Sequence, residues 1–401
     1  MKGDVKMNAR AVSGYGIRGG ILALSIGLLA CQSTPEPRRT KAPASPAKAK
    51  VTERVVENPG RQDSKKTTGE ETETFTLREL PKGPQDASDI ASFYASRCPV
   101  APFSLAEPED YTVAGHTFSV HGSRWERVGE NWSGDLRLGI LGALKDASPG
   151  TKRNVRNAAR RFRKEKVDFV IANGDLGEDK ELQDVFELLG NTFQVPILVF
   201  AGNIEWTAAF TEAFEKARVN HPHLINGNWT RHLDLGGVHL LTLPGWSNRR
   251  FMQSGACRYG DRDIEDLRRT AEPLVTAGEQ VVLLTHGPPR GDGPEALDMT
   301  HDAGNVGNEG LRKLIDELPI SFGIFSHILE SGGRIGTNVA GDGPLKTPVR
   351  DAQERLYLNV GSASAFAWEM LDNRRSEGMA AVFRLRNGRA TARILSLKSR
   401  R

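Results

Sequence analysis

The sequence predicts an α/β sandwich of mixed β-sheets flanked by helices. Three observations predict it. From Leu136 onward, short apolar runs of strand length alternate with segments of helical periodicity. Several of those runs end on Gly-Asp, Gly-Asn or a lone His, the kind of polar residue that open α/β sheets collect at the carboxyl ends of their strands. The chain then closes on two alternating runs, Met379–Leu385 and Thr391–Leu397, joined across Asn387-Gly388, which adds an antiparallel hairpin.

In chain order, Leu77 to Pro99 is expected to hold one short helix around Asp86–Arg97. Tyr111 to Val128 alternates (Tyr111, Val113, then Phe118, Val120) and predicts an antiparallel strand or hairpin ahead of the main sheet. The candidate strands that follow are Leu136–Leu141, Val167–Ala172, Ile197–Ala201, Val238–Leu243, Val281–Thr285, Phe322–Phe325 and Tyr357–Val360. Between the first two, Thr151–Glu165 places Val155, Ala158, Ala159 and Phe162 at i, i+3, i+4 and i+7, one helical face. Its basic residues, Arg153, Arg156, Arg160, Arg161, Arg163 and Lys164, read as a solvated face, with a phosphate-binding patch as the alternative.

The composition narrows the function classes. A chain of 401 residues with a hydrophobic fraction of 38% suffices for one large domain or two small ones. A formal charge of +4 is too small to argue for nucleic acid, and no nucleic-acid partner is expected. Residues 1–30 read as a targeting segment: Lys2, Lys6, Arg10 and Arg18 form a basic region, and Ile21–Ala30 is an apolar stretch well short of the ~20 residues that span a bilayer. The stretch ends Leu28-Leu29-Ala30-Cys31, which resembles a bacterial lipobox. That resemblance implies a lipid-modified Cys31, attachment to a membrane of the cell envelope and, with Gln32 next, the outer membrane. An ordinary signal peptide with a chance cysteine is the alternative. Residues 31–75 are rich in Pro, Ala, Lys, Thr and Glu and read as a disordered tether, residues 76–133 as an N-terminal extension, and residues 134–401 as the main domain. Export implies an oxidising compartment, in which Cys98 and Cys257 are expected to pair as a disulfide, with two free buried thiols as the alternative.

The chemistry lies at five strand ends. These read Gly142-Ala143-Leu144-Lys145, Gly174-Asp175-Leu176-Gly177-Glu178, Gly202-Asn203-Ile204-Glu205, Thr285-His286-Gly287 and Ser326-His327-Ile328-Leu329. In order and spacing they resemble the calcineurin-like metallophosphoesterase family. Its pattern is Asp-x-His, Gly-Asp-x-x-Asp/Glu, Gly-Asn-His-Asp/Glu, a lone His and Gly-His-x-His, each after a strand. The resemblance runs from about Leu136 to Val360. It implies a metallophosphoesterase-like β-sandwich and a phosphate-containing ligand. Phosphoester hydrolysis needs a nucleophilic hydroxide and relief of phosphoryl charge, which a pair of divalent metals supplies.

Carried over residue by residue, the resemblance implies one metal held by Asp175, Asn203, His286 and His327, a mixed O/N set suited to Mn, Fe or Zn. The positions that would complete the second metal's shell hold Ala143, Lys145 and Leu329, and the third-motif histidine is Ile204. The expectation is one divalent metal, weak or no hydrolysis and Lys145 as a substitute charge; the catalytic residues remain unassigned. Three alternatives stand beside it. The four retained residues are structural caps and buried hydrogen-bond partners; or the protein is a working hydrolase recruiting an unrecognised ligand such as His301; or it is a non-catalytic envelope interaction module. The polar loop Gly287–Gly310, with Arg290, Asp292, His301, Asp302 and Asn308, reads as substrate-side. Trp206, Trp246 and Trp368 are candidates for pocket walls, with core or surface packing as the alternative.

Overall fold

The computed structural model describes residues 97–398, apart from 106, 130, 131 and 133. The targeting segment, Cys31, the tether and residues 86–96 of the expected first helix lie outside the described residues.

Three strands come first: β1 (Glu109–Val113), β2 (His116–His121) and β3 (Arg124–Arg127). An alternating stretch follows, β4 (Asp135–Gly142), α1 (Pro149–Glu165), β5 (Phe169–Asn173), α2 (Asp179–Thr192), β6 (Ile197–Phe200), α3 (Thr207–Asn220) and β7 (Leu224–Asn226). Next come β8 (His232–Asp234), β9 (Val238–Leu243), α4 (Asp261–Thr276), β10 (Gln280–Thr285), a two-stranded hairpin of β11 (Met299–Thr300) and β12 (Gly304–Asn305), α5 (Glu309–Glu317) and β13 (Phe322–Phe325). The chain finishes with β14 (Ile335–Gly336), β15 (Pro344–Leu345), β16 (Val349–Gln353), β17 (Leu356–Asn359), β18 (Trp368–Glu369), β19 (Arg375–Ser376), β20 (Met379–Arg386) and β21 (Arg389–Ser396).

Two sheets carry the architecture. One has seven strands in the order β16-β21-β20-β4-β5-β6-β7; the other has ten, β1-β2-β3-β8-β9-β10-β13-β17-β14-β15. The β4-β5-β6-β7 and β9-β10-β13-β17 blocks are parallel, and antiparallel strands flank both. The segment read as an N-terminal extension supplies β1–β3, which join the ten-stranded sheet through the parallel β3-β8 pairing. The C-terminal Asn387-Gly388 turn joins β20 to β21, and β20 pairs with β4.

The layering follows from the pattern of side chains. Leu136, Leu138 and Ile140 of β4 point one way and pack with Phe200, Leu240, Leu284, Ile324, Leu358 and Phe383 in the core between the sheets. Leu141 and Val170, on the opposite face, pack with Val155, Phe162, Phe186 and Phe210 under α1–α3. Leu241, Leu283, Leu267 and Leu314 do the same under α4 and α5. Helices therefore cover both outer faces, as near-continuous apolar parallel strands require. α1 starts where Ser148 caps it by accepting from the Thr151 N–H, and its buried face includes Val155, Ala158, Ala159 and Phe162.

The sulfurs of Cys98 and Cys257 are bonded across 159 residues. The bridge ties the chain ahead of β1 to a loop that supports Trp246, whose backbone N–H donates to the Cys257 carbonyl at 3.1 Å. A cross-link over so long a loop restricts the unfolded chain strongly. Replacing both cysteines by alanine is expected to lower unfolding free energy by about 2–5 kcal/mol in urea titrations; unchanged stability would contradict this role.

Candidate metal centre

The carboxyl ends of both parallel blocks meet at one edge of the sandwich. β4, β5 and β6 deliver Lys145, Asp175 and Asn203; β10 and β13 deliver His286 and His327. The connecting loops are tight. Ala143, Lys145 and Asp175 all adopt positive φ (44°, 64° and 55°), and the Lys145 N–H donates to the Asp175 carbonyl at 2.8 Å. Non-glycine residues in this region are held there by their surroundings. Gly174 and Gly202 leave the space: a Cβ on Gly174 would lie 2.3 Å from His286 Nδ1, and one on Gly202 would lie 2.6 Å from Asp175 Oδ1.

Asp175 has a side chain only 2% exposed, and its two oxygens face different neighbours. Oδ1 lies 3.2 Å from His286 Nε2 and accepts from the Asn203 N–H at 3.3 Å. Oδ2 takes the Lys145 ammonium at 2.5 Å. Burial works against the charge, but Lys145 first and then His286 hold the carboxyl well below the usual carboxylate range.

The donor set fits a divalent ion. His286 Nδ1 donates to the Asn173 carbonyl at 3.0 Å, which leaves Nε2 turned toward Asp175 and Asn203 as the ring's ligand atom. That Nε2 lies 2.9 Å from Asn203 Oδ1, and the Asn203 Nδ2 is fixed by donating to the Phe251 carbonyl at 2.5 Å. Nε2 and two oxygens thus converge, an arrangement that suits a cation among them, either a metal ion or the ring's own proton. Adjacent donors about 3 Å apart also match a coordination sphere of about 2.1 Å radius. His327 completes the group: its Nδ1 is buried without a hydrogen-bond partner, and its ring packs 4.9 Å from His286 and 4.7 Å from Trp246. Burial first, then the neighbouring His286, pushes His327 down to about 3, which keeps it a neutral, ligand-competent imidazole.

The other expected positions carry no donor. Ala143 and Leu144 are buried apolar side chains, Leu329 is buried, and Ile204 offers no proton. His301 sits exposed between β11 and β12 and is not among the described groups that converge with Asp175. Of the three tryptophans, only Trp246 backs the centre; Trp206 is 51% exposed and Trp368 44% exposed. Arg290, Asn305 and Asn308 of the Gly287–Gly310 loop line a cavity of about 460 Å³ with Asn248, Arg250 and Phe251, and the Phe251 carbonyl is the one that Asn203 Nδ2 donates to.

Glu205 has a role that its place in the third motif did not disclose. Fully buried, it accepts from the Leu176 N–H through Oε1 and from the Gly202 N–H at 2.7 Å through Oε2, locking the Asp175 and Asn203 loops together. Burial, and then the Asp175 charge, pushes its carboxyl up to about 7. Glu205→Gln turns an amide N–H₂ toward one of those backbone donors and is expected to cost about 1–3 kcal/mol of stability; an unchanged denaturation midpoint would contradict the locking role.

One family and several solved structures resemble this chain. The family described as calcineurin-like phosphoesterase matches residues 120–331, slightly more than half of the chain. No curated protein matches in sequence. Among solved structures, a dimetal phosphatase from Danio rerio aligns at 11% identity over 66% of this chain and 97% of its own, with a TM-score of 0.45. TT1561 of Thermus thermophilus aligns at 10% identity over 66% and 99%, with a TM-score of 0.42. GAP50, the anchor in the inner membrane complex of Plasmodium, aligns at 11% identity over 67% and 86%, also at 0.42. These likenesses are weak, and the assignment rests on the family match: the chain belongs to the calcineurin-like phosphoesterase family.

Proposed function

We propose that this protein is a lipid-anchored envelope member of its family that binds one divalent metal and a phosphate-containing ligand, with weak or no hydrolysis. The observation that carries the reading is the Lys145 ammonium 2.5 Å from Asp175 Oδ2, on the side of the carboxylate turned away from the retained donors. Asp175, Asn203, His286 and His327 would hold a single Mn, Fe or Zn ion. Bound there, the ion supplies Lewis-acid polarisation of a phosphoryl oxygen.

The protein's own residues account for the rest. Lys145 is partly exposed, at 29%, so its remaining N–H bonds face outward to an incoming anion while one is spent on Asp175. An ammonium attracts a phosphate oxygen but does not activate a water as a divalent ion does. Ile204 cannot donate a proton to a leaving group, and general acid help is worth roughly 10²–10⁴-fold in rate. Binding survives these losses better than turnover. The bridged cysteines, the apolar segment before Cys31 and the polar stretch after it support an exported chain held at the membrane surface by a lipid anchor and tether.

Lys145→Ala is expected to weaken inorganic phosphate binding, measured calorimetrically in the presence of Mn²⁺, by about tenfold or more. Unchanged affinity would refute the charge-substitute role, and phosphoester turnover lost in both Asp175→Ala and His286→Ala would point to a working hydrolase instead. Mass spectrometry of the mature N-terminus should find a lipid on Cys31, and Cys31→Ser should release the protein from membranes; an unmodified N-terminus upstream or downstream of Cys31 would exclude the anchor.

A further inference from the structure

A second group of ligand-type side chains lies away from this centre. β8 and β9 form an antiparallel pair with Asp234 opposite His239, and His232 shares the Asp234 face two residues earlier. His239 is the second residue of β9, whereas the far end of β9 leads to Trp246. The cluster therefore sits at the opposite edge of the sheet from Asp175. His232, Asp234 and His239 are 6%, 7% and 4% exposed.

The hydrogen bonding within the cluster does not close. His239 Nδ1 lies 3.0 Å from His232 Nε2 and 3.3 Å from Asp234 Oδ1. The other ring nitrogen, Nε2, is buried with no hydrogen-bond partner, its nearest carboxylate oxygen being Glu279 Oε2 at 3.9 Å. If the proton is on Nδ1, a bare Nε2 lone pair faces Glu279. If it is on Nε2, the Nδ1 lone pair can accept from His232 Nε2 but still faces Asp234 Oδ1 at 3.3 Å, and the Nε2–H has no hydrogen-bond partner. Either neutral tautomer sets a lone pair against an anion, and each such mismatch in a buried site is costly. His232 is pushed down to about 4 by burial, then by His239 and Arg124.

We propose that His232, Asp234 and His239 form a second divalent-cation site, of the zinc class, that joins β8 to β9. The donor atoms are His232 Nε2, His239 Nδ1 and Asp234 Oδ1. Separations of 3.0 and 3.3 Å approach the edge of a tetrahedron whose bonds are about 2.0–2.1 Å. Two imidazoles and a carboxylate, leaving one open position, match zinc chemistry. The second oxygen of Asp234 is occupied by Arg124 at 2.9 Å, and Oδ1 also takes the Gly236 N–H at 2.9 Å, which fixes the carboxylate. With a cation on Nδ1, the His239 Nε2–H points to Glu279, the carboxylate–histidine–metal arrangement that orients ligating imidazoles. Around the site stand three carboxylates, Asp234, Glu126 and Glu279, against one guanidinium, Arg124, so the local charge favours a divalent ion.

The test is zinc uptake by the purified full chain after chelation and dialysis. The wild type should retain one more Zn²⁺ per chain than His232→Ala/His239→Ala, and that ion should persist in Asp175→Ala. Equal zinc content in the wild type and the double variant would overturn the proposal. A second measurement covers a variant that does not fold: in wild-type crystals soaked with Zn²⁺, an anomalous peak is expected among His232, Asp234 and His239, and its absence there would overturn the proposal independently.

Discussion

A buried carboxylate cannot stay charged without compensation, and Asp175 sets that demand at the centre of this fold. Desolvating an ion costs several kcal/mol even after relaxation. The surrounding residues meet the cost from two sides, with Lys145 on one oxygen and the His286 and Asn203 group on the other. The same charge helps push Glu205 toward its protonated form, while Glu205 in turn anchors the two loops that present Asp175 and Asn203. Positive φ at Asp175 and Lys145 and the close glycines at 174 and 202 are the backbone's part in this packing.

Much of this is legible in the sequence, for identifiable reasons. Parallel strands covered on both faces must be apolar throughout, so Val238–Leu243 and Phe322–Phe325 stand out as runs with the bounds they have in the fold. The Asn387-Gly388 turn specifies its hairpin locally. The strand-end motifs can be ordered because each follows such a run. What the sequence withholds depends on long-range register. The role of Glu205 requires knowing that Leu176 and Gly202 point their N–H groups at it. His232, Asp234 and His239 become a cluster only once the β8-β9 register sets Asp234 opposite His239. His301 lies in a suitably polar loop, but the β11-β12 hairpin turns it to solvent. The three strands at 109–127 read as an appendage because their partner, β8, is more than a hundred residues away in the chain.

The proposed function separates two tasks that a pair of metals performs together. In that proposal, charge for attracting a phosphate is retained, in part by the Lys145 ammonium. In the proposed reading, Ala143, Leu329 and Ile204 stand where the family resemblance expects groups for activating the attacking water and protonating the leaving group. A fold can keep its scaffold while its site changes task, since activity resides in the site rather than in the architecture.

The central claim is that an ammonium occupies the second metal's place beside Asp175. Low-temperature electron paramagnetic resonance of the Mn²⁺-loaded protein tests it most directly, because two Mn²⁺ ions about 3.5–4 Å apart are magnetically coupled. The account predicts only the spectrum of isolated Mn²⁺ ions, weakened in Asp175→Ala. An exchange-coupled dimanganese spectrum would contradict it.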